Sequence, residues 1–176
     1  MEIRAGKPSE LNAILKVIES AFPAEENNII SKFVYDLLSA SNSIKIKNLV
    51  AARNNEVLGY VSFSPIYLDS DSAYTGHILA PLAVAPEHQK HGIGQALVNS
   101  GIDLLKNREG DLLLVYGDPN YYGRFGFSKD AASTFVPPFE LKYPMGWLGL
   151  KVSDKPPPAH PAHVVCVDAL NNPDLW

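Results

Sequence analysis

Between Leu82 and Leu97 the chain carries residues whose order suits anion binding. The apolar run Leu82-Ala-Val-Ala85 stops at Pro86, and Glu87-His-Gln-Lys-His91 leads into Gly92-Ile-Gly94. Ile93 and Leu97 then open a helical period. Strand, glycine loop and helix in that order leave backbone N–H groups of the loop and of the first helical turn aimed at one place, where an anion fits. Gly92 and Gly94 let the backbone approach a phosphate with no Cβ in the way, and Lys90 and His91 add charge at the rim. A P-loop would need Gly-x4-Gly-Lys-Ser/Thr, and no such string is present. A dinucleotide fingerprint would need a third glycine where Leu97 stands, and would follow the first strand rather than sit mid-chain.

The elements that must hold this loop read from spacing. Glu2–Ala5 is expected as a strand, and Ser9 as the N-cap of a helix carrying Leu11, Ile14, Leu15, Ile18 and Phe22, which Pro23 stops. Ile30, Phe33, Val34, Leu37 and Leu38 mark a second helix, with Pro23–Asn28 as an acidic loop between the two. Leu49–Arg53 and Glu56–Phe63, joined by Asn54-Asn55, predict a β-hairpin. Tyr67–Tyr74 is polar and reads as a hairpin loop. His77–Val84 is the next strand, with a bulge or unpaired edge at Pro81 that frees an N–H near Leu82 or Ala83. The helix from Gly94 ends around Asn107–Gly110, and Asp111–Tyr116 is a strand buried on both faces. These close a right-handed β-α-β unit. Helical turns follow from Pro119, and strands at Trp147–Val152 and His163–Val167 are joined by the extended Lys155–Pro161. The order gives an α/β fold with a mixed sheet and one central parallel β-α-β unit.

The chain has 176 residues, enough for one domain over 1–176 with a real core. Lys and Arg number 15 against 19 Asp and Glu, a net charge of -4, which argues against a general nucleic-acid binder. The single cysteine, Cys166, excludes an internal disulfide and a cysteine metal site, and reads as core. His160 and His163 lack metal-ligand spacing. Asp69-Ser-Asp-Ser72 lacks the glycine and distal Glu of a calcium loop. Met1–Lys7 lacks the apolar stretch of a signal peptide, and no run reaches the ~18 apolar residues of a membrane span. A cytoplasmic protein without membrane partners is expected.

Gln89-Lys-His-Gly-Ile-Gly94, after Leu82-Ala-Val-Ala-Pro-Glu87, resembles the acyl-CoA loop of the GCN5-related N-acetyltransferase (GNAT) superfamily. The hairpin Val50–Val61 is similar to that superfamily's second and third strands. Tyr122-Gly-Arg-Phe-Gly-Phe127 resembles its Tyr-x-x-x-Gly-Phe signature, and the resemblance is clearest over residues 48–128. Gly117–Phe127 looks most like a bacterial branch of N-acetyltransferases. The resemblance implies a mostly antiparallel sheet with helices on both faces. It implies acetyl-CoA as cosubstrate, with its pantetheine arm along Leu82, Ala83 and Val84 and its pyrophosphate on Gln89, Lys90, His91, Gly92, Ile93 and Gly94. The strand Leu112–Tyr116 splays away to make room. Tyr122 is implied as the general acid beside the sulfur, with Tyr121 pointing elsewhere and Arg124 on a solvated face.

The reaction so implied is direct attack of a primary amine on the thioester, with no metal. An N–H near Leu82 or Ala83 is placed for the carbonyl oxygen. Glu25, Glu26, His77 and Asp118 all stand as candidates for the base. The acceptor is a small-molecule amine or a peptide or protein amine, the acidic Glu25 and Glu26 favouring a cationic one. Residues 129–176 complete the sheet and the acceptor side, and the aromatic tail covers the acceptor cleft or a homodimer seam or closes the sheet. The alternative is a non-catalytic acyl-CoA sensor or regulatory module on the same fold.

Overall fold

The computed structural model describes residues 1–40, 45–106 and 110–176. Its elements are β1 (Glu2–Ala5), α1 (Leu11–Ala21), α2 (Ala24–Ala40), β2 (Lys47–Arg53), β3 (Glu56–Leu68), β4 (Gly76–Val84), α3 (Ile93–Lys106), β5 (Leu112–Tyr116), α4 (Pro119–Tyr122), α5 (Lys129–Ala132), β6 (Phe135–Val136), β7 (Trp147–Lys151) and β8 (Ala162–Val165). Short 3-10 turns link several of them. The expected helix end around Asn107–Gly110 falls largely outside the described residues. The chain forms two compact units. The first holds residues 1–63, 80–101 and Leu175; the second holds 64–79, 102–174 and Trp176.

In the first unit β1 pairs antiparallel with β2, and β2 with β3. Asn54 and Asn55 take φ of 49° and 66°, the pair of left-handed residues that a tight hairpin of this hand requires. The Ala85 N–H reaches Leu58 O at 2.9 Å, so β4 ends beside β3. Residues 57–63 of β3 are buried without a break, as expected of a strand covered on both faces. The apolar stripes of α1 (Ile14, Val17, Ile18) and α2 (Phe33, Val34, Leu37) are buried in this unit's core.

The N-terminus of α1 differs from expectation. A 3-10 turn, Pro8–Glu10, precedes it, and Ser9 does not cap it. Glu10 reaches back to the Lys7 N–H at 2.8 Å and receives the Arg4 guanidinium through both oxygens, at 2.6 and 2.9 Å. That charged fork holds the chain more firmly than a neutral hydroxyl cap would. The acidic loop is also corrected. Glu25 and Glu26 form the first turn of α2, and Glu26 N–H and Asn27 N–H both bond Pro23 O. Two carboxylates there favour helix over loop, because they face the positive end of its dipole.

In the second unit β4 runs parallel to β5, from Gly76↔Leu112 to Leu79↔Val115, and the register stops before Pro81. β5 pairs antiparallel with β7. β8 pairs antiparallel with the end of β3 and parallel with the two-residue β6. The fold is thus α/β, an open mixed sheet, mostly antiparallel with the parallel β4–β5 pair, flanked by helices. Asp111 ties the polyproline connector down. It accepts from Thr75 N–H at 3.0 Å and Ser153 Oγ at 2.8 Å, and Lys155 Nζ lies 3.6 Å away. Cys166 lies just past β8, half-buried rather than in the strand, and burial pushes its thiol up to about 12.

Candidate active site

The glycine loop belongs to the first unit and is pinned to the end of β4. The Gln89 side-chain amide donates to Val84 O at 3.0 Å, and a 3-10 turn over Pro86–His88 closes with His88 N–H on Ala85 O at 2.8 Å. Lys90 and Gly92 then take φ of 62° and 80°. At Gly92 that backbone favours glycine, and nothing lies within 4 Å of where a Cβ would stand, so the turn faces open space. The first α3 N–H with a backbone acceptor among the described residues is that of Ala96, on Gly92 O at 2.9 Å. The N–H groups of Ile93, Gly94 and Gln95 before it project from the helix's positive end.

Gln89, Lys90, His91 and Gly92 are exposed, and the Ile93 side chain is buried in the core. Ile93 therefore offers an anion its N–H alone, while Lys90 offers side-chain charge and His91 an exposed imidazole. On the strand leading in, Ala83 is buried and Leu82 and Val84 are half-buried. The donors, the open turn and the exposed Lys90 fit a pyrophosphate.

Tyr122 belongs to the second unit. Asp118 caps α4, its Oδ1 accepting from Asn120 N–H at 2.9 Å, and the Tyr122 N–H closes the turn on Asp118 O at 2.9 Å. The Tyr122 ring lies against Gly117. A Cβ at that glycine would stand 2.5 Å from Tyr122 Cε2. Phe127, 5.7 Å away between ring centroids, and Phe125, at 6.4 Å, close the surround. Burial pushes the Tyr122 phenol above its ordinary value, with Tyr121 adding to the shift. The group is protonated at neutral pH and suits a proton donor.

Tyr121 is the neighbouring aromatic on this turn. The two rings meet edge to face at 5.0 Å, because the short turn keeps neighbouring aromatics in contact. Arg124 is exposed and lies 4.8 Å over the Tyr121 ring.

The base candidates lie on separate elements. Glu25 and Glu26 sit at the start of α2. His77 is buried in β4 at the register position of Leu113, with its ring beside Gly110. Asp118 is a helix cap that also lines a hollow of about 360 Å³. That hollow was missed by sequence reasoning. Tyr116, Gly117, Pro119, Tyr143 and Met145 line it too. Its only advance signal was an aromatic residue ending the β5 run. Among the described residues no three His, Cys, Asp or Glu side chains group to hold a metal ion.

The chain is similar to known proteins of one family. The family model described as "Acetyltransferase (GNAT) family" matches residues 11–127. The "Uncharacterized N-acetyltransferase YhbS" of Escherichia coli K12 is 33% identical over 129 residues, 72% of this chain and 73% of that protein. A crystal structure of E. coli YhbS in complex with CoA superposes with a TM-score of 0.84 at 25% identity, covering 97% of this chain and 92% of that one. A GNAT family acetyltransferase from Brucella melitensis in complex with acetyl-CoA gives 0.75 at 26% identity, covering 96% of each chain.

Proposed function

The chain belongs to the GNAT acetyltransferase family, and from that premise we propose that it transfers the acetyl group of acetyl-CoA to a primary amine by direct attack on the thioester. The observation that carries this reading is the loop at Lys90–Gly94. It has two left-handed residues, an open turn and helix N–H groups that, among the described residues, have no backbone acceptor, beside the exposed Lys90. The pyrophosphate is assigned to the N–H groups from Lys90 to Gly94, the Gln89 N–H being donated to Pro86 O at 3.2 Å, with the exposed Lys90 and His91 side chains at the rim. The pantetheine arm is assigned to Leu82, Ala83 and Val84. A backbone N–H near Leu82 or Ala83 is assigned to the carbonyl oxygen, which gains negative charge as the amine adds.

In the reaction the amine nitrogen forms a bond to the carbonyl carbon and the carbon–sulfur bond breaks. The nitrogen gives up a proton to solvent or a base, and the departing sulfur takes one from the Tyr122 phenol. Tyr122 enters the second transfer with its proton in place, while the burial that raises its pKa makes it a weaker acid than a free phenol. Much of the remaining acceleration is positioning of the two substrates.

The test is transfer itself. The protein is incubated with acetyl-CoA and a panel of primary amines, and acetylated amine and free CoA thiol are both measured. The expected result is one acetylated amine per thiol released. Binding of acetyl-CoA with no transfer to any amine would contradict the enzyme reading and leave an acyl-CoA-binding module.

A further inference from the structure

The hollow beside Tyr116 is lined by residues other than those assigned to the acetyl donor. Its wall is the end of β5 and the start of α4 on one side and Tyr143–Gly146 on the other. The two sides are bonded together. Tyr143 N–H donates to Tyr116 Oη at 2.8 Å and Gly117 N–H to Gly146 O at 2.9 Å, while Gly146 N–H closes the turn of its own side on Tyr143 O at 2.8 Å. Behind Tyr116 the Trp176 ring is stacked at 6.4 Å, and Trp176 is itself fixed by Nε1 donating to Leu170 O at 3.0 Å. The hollow is therefore pre-formed rather than a gap between mobile side chains.

Its chemistry is equally specific. The lining is almost wholly apolar, and Asp118 is its only charged residue. Tyr143 and Met145, each 60% exposed, stand at this hollow with large apolar surface in water. Exposed apolar groups beside a concave site mark a binding surface, and a methionine there adapts to the shape of its ligand. Gly117 is shared. It lines the hollow and is also the residue against which the Tyr122 ring lies.

We propose that this hollow seats the apolar body of the acceptor, an arylalkyl or alkyl primary amine, with the Asp118 carboxylate drawing its ammonium end. The assignment rests on the acetyltransferase reading above. A polyamine or an aminosugar is disfavoured, since the apolar wall would strip its polar groups of water and return no partners.

Three probes decide it: phenethylamine, ethylamine and 1,5-diaminopentane, assayed with acetyl-CoA on the wild-type protein and on Met145→Lys. Met145 is exposed, so the variant keeps the fold, and its acetyl-CoA affinity verifies that. Phenethylamine is expected to exceed both other amines in kcat/KM by at least about tenfold, and Met145→Lys to remove most of that advantage through KM. Phenethylamine binding is read independently as a change in tryptophan fluorescence, Trp176 being stacked on Tyr116. Transfer to all three amines with equal efficiency, or an advantage that Met145→Lys leaves intact, would overturn the apolar pocket while the acetyltransferase reading stands. Phenethylamine binding without transfer to any amine would overturn the acetyltransferase reading and with it the hollow's role as an acceptor site.

Discussion

Tyr122 is held by what surrounds it rather than by a charged partner. Gly117 leaves room for its ring, and Tyr121, Phe125 and Phe127 close the sides. Burial and the neighbouring Tyr121 raise the phenol above its ordinary 10.0. A raised acid ionises only at higher pH, so the proton-donating form persists across the neutral and mildly alkaline range. The kcat–pH profile of the wild-type protein is therefore expected to show no loss from this group below about pH 10. Tyr122→Phe, which keeps the ring and removes the proton, is expected to lower kcat by roughly 10²-fold with little change in acetyl-CoA affinity. Gly117→Ala tests the support. Its Cβ would displace the ring, and a fall in kcat at unchanged acetyl-CoA affinity is the expected outcome.

Among the elements, the start of α1 and the β2–β3 hairpin carry distinct local energetics. Glu10 titrates near 2 rather than its ordinary 4.5, first because the Arg4 guanidinium bonds both its oxygens, with desolvation opposing and the Lys7 N–H assisting. A carboxyl with a lowered folded value stabilises above its unfolded value and loses that contribution as pH falls toward the folded one. The contribution is thus complete above about pH 4.5 and fades toward about pH 2. Arg4→Ala is expected to narrow the gap between the urea midpoints at pH 7 and pH 3, checked by chemical denaturation at both. An unchanged gap would show that the pair contributes nothing. In the hairpin, Asn55 holds a φ of 66°, which a β-branched residue adopts only with strain. Asn55→Val is expected to cost about 1–2 kcal/mol, measured by thermal or urea unfolding.

Over the whole chain, what the sequence revealed follows how local each signal is. The Asn54-Asn55 turn, the glycine loop and the Tyr122–Phe127 block each lie within a few residues, and each folds as its residue types require. The first turn of α2 was misread because Pro23 ends one helix and caps the next with its own carbonyl, leaving no loop between. The C-terminal third was hardest. β6 has two residues, and β8 takes its place from pairing with Tyr67 and Leu68 far earlier in the chain. The hollow depends on Tyr116 meeting Tyr143 across 27 positions. Contacts of that span leave no period to read.

The proposed function rests on the glycine loop, and titration of acetyl-CoA into the wild-type protein and Gly92→Glu tests it. Wild type is expected to bind acetyl-CoA, and the variant to bind at least about 100-fold more weakly, near 2.7 kcal/mol, because glutamate strains a φ of 80° and sets a carboxylate against the pyrophosphate. A wild-type protein that binds no acetyl-CoA, or a Gly92→Glu variant that binds it equally well, would contradict the assignment of this loop.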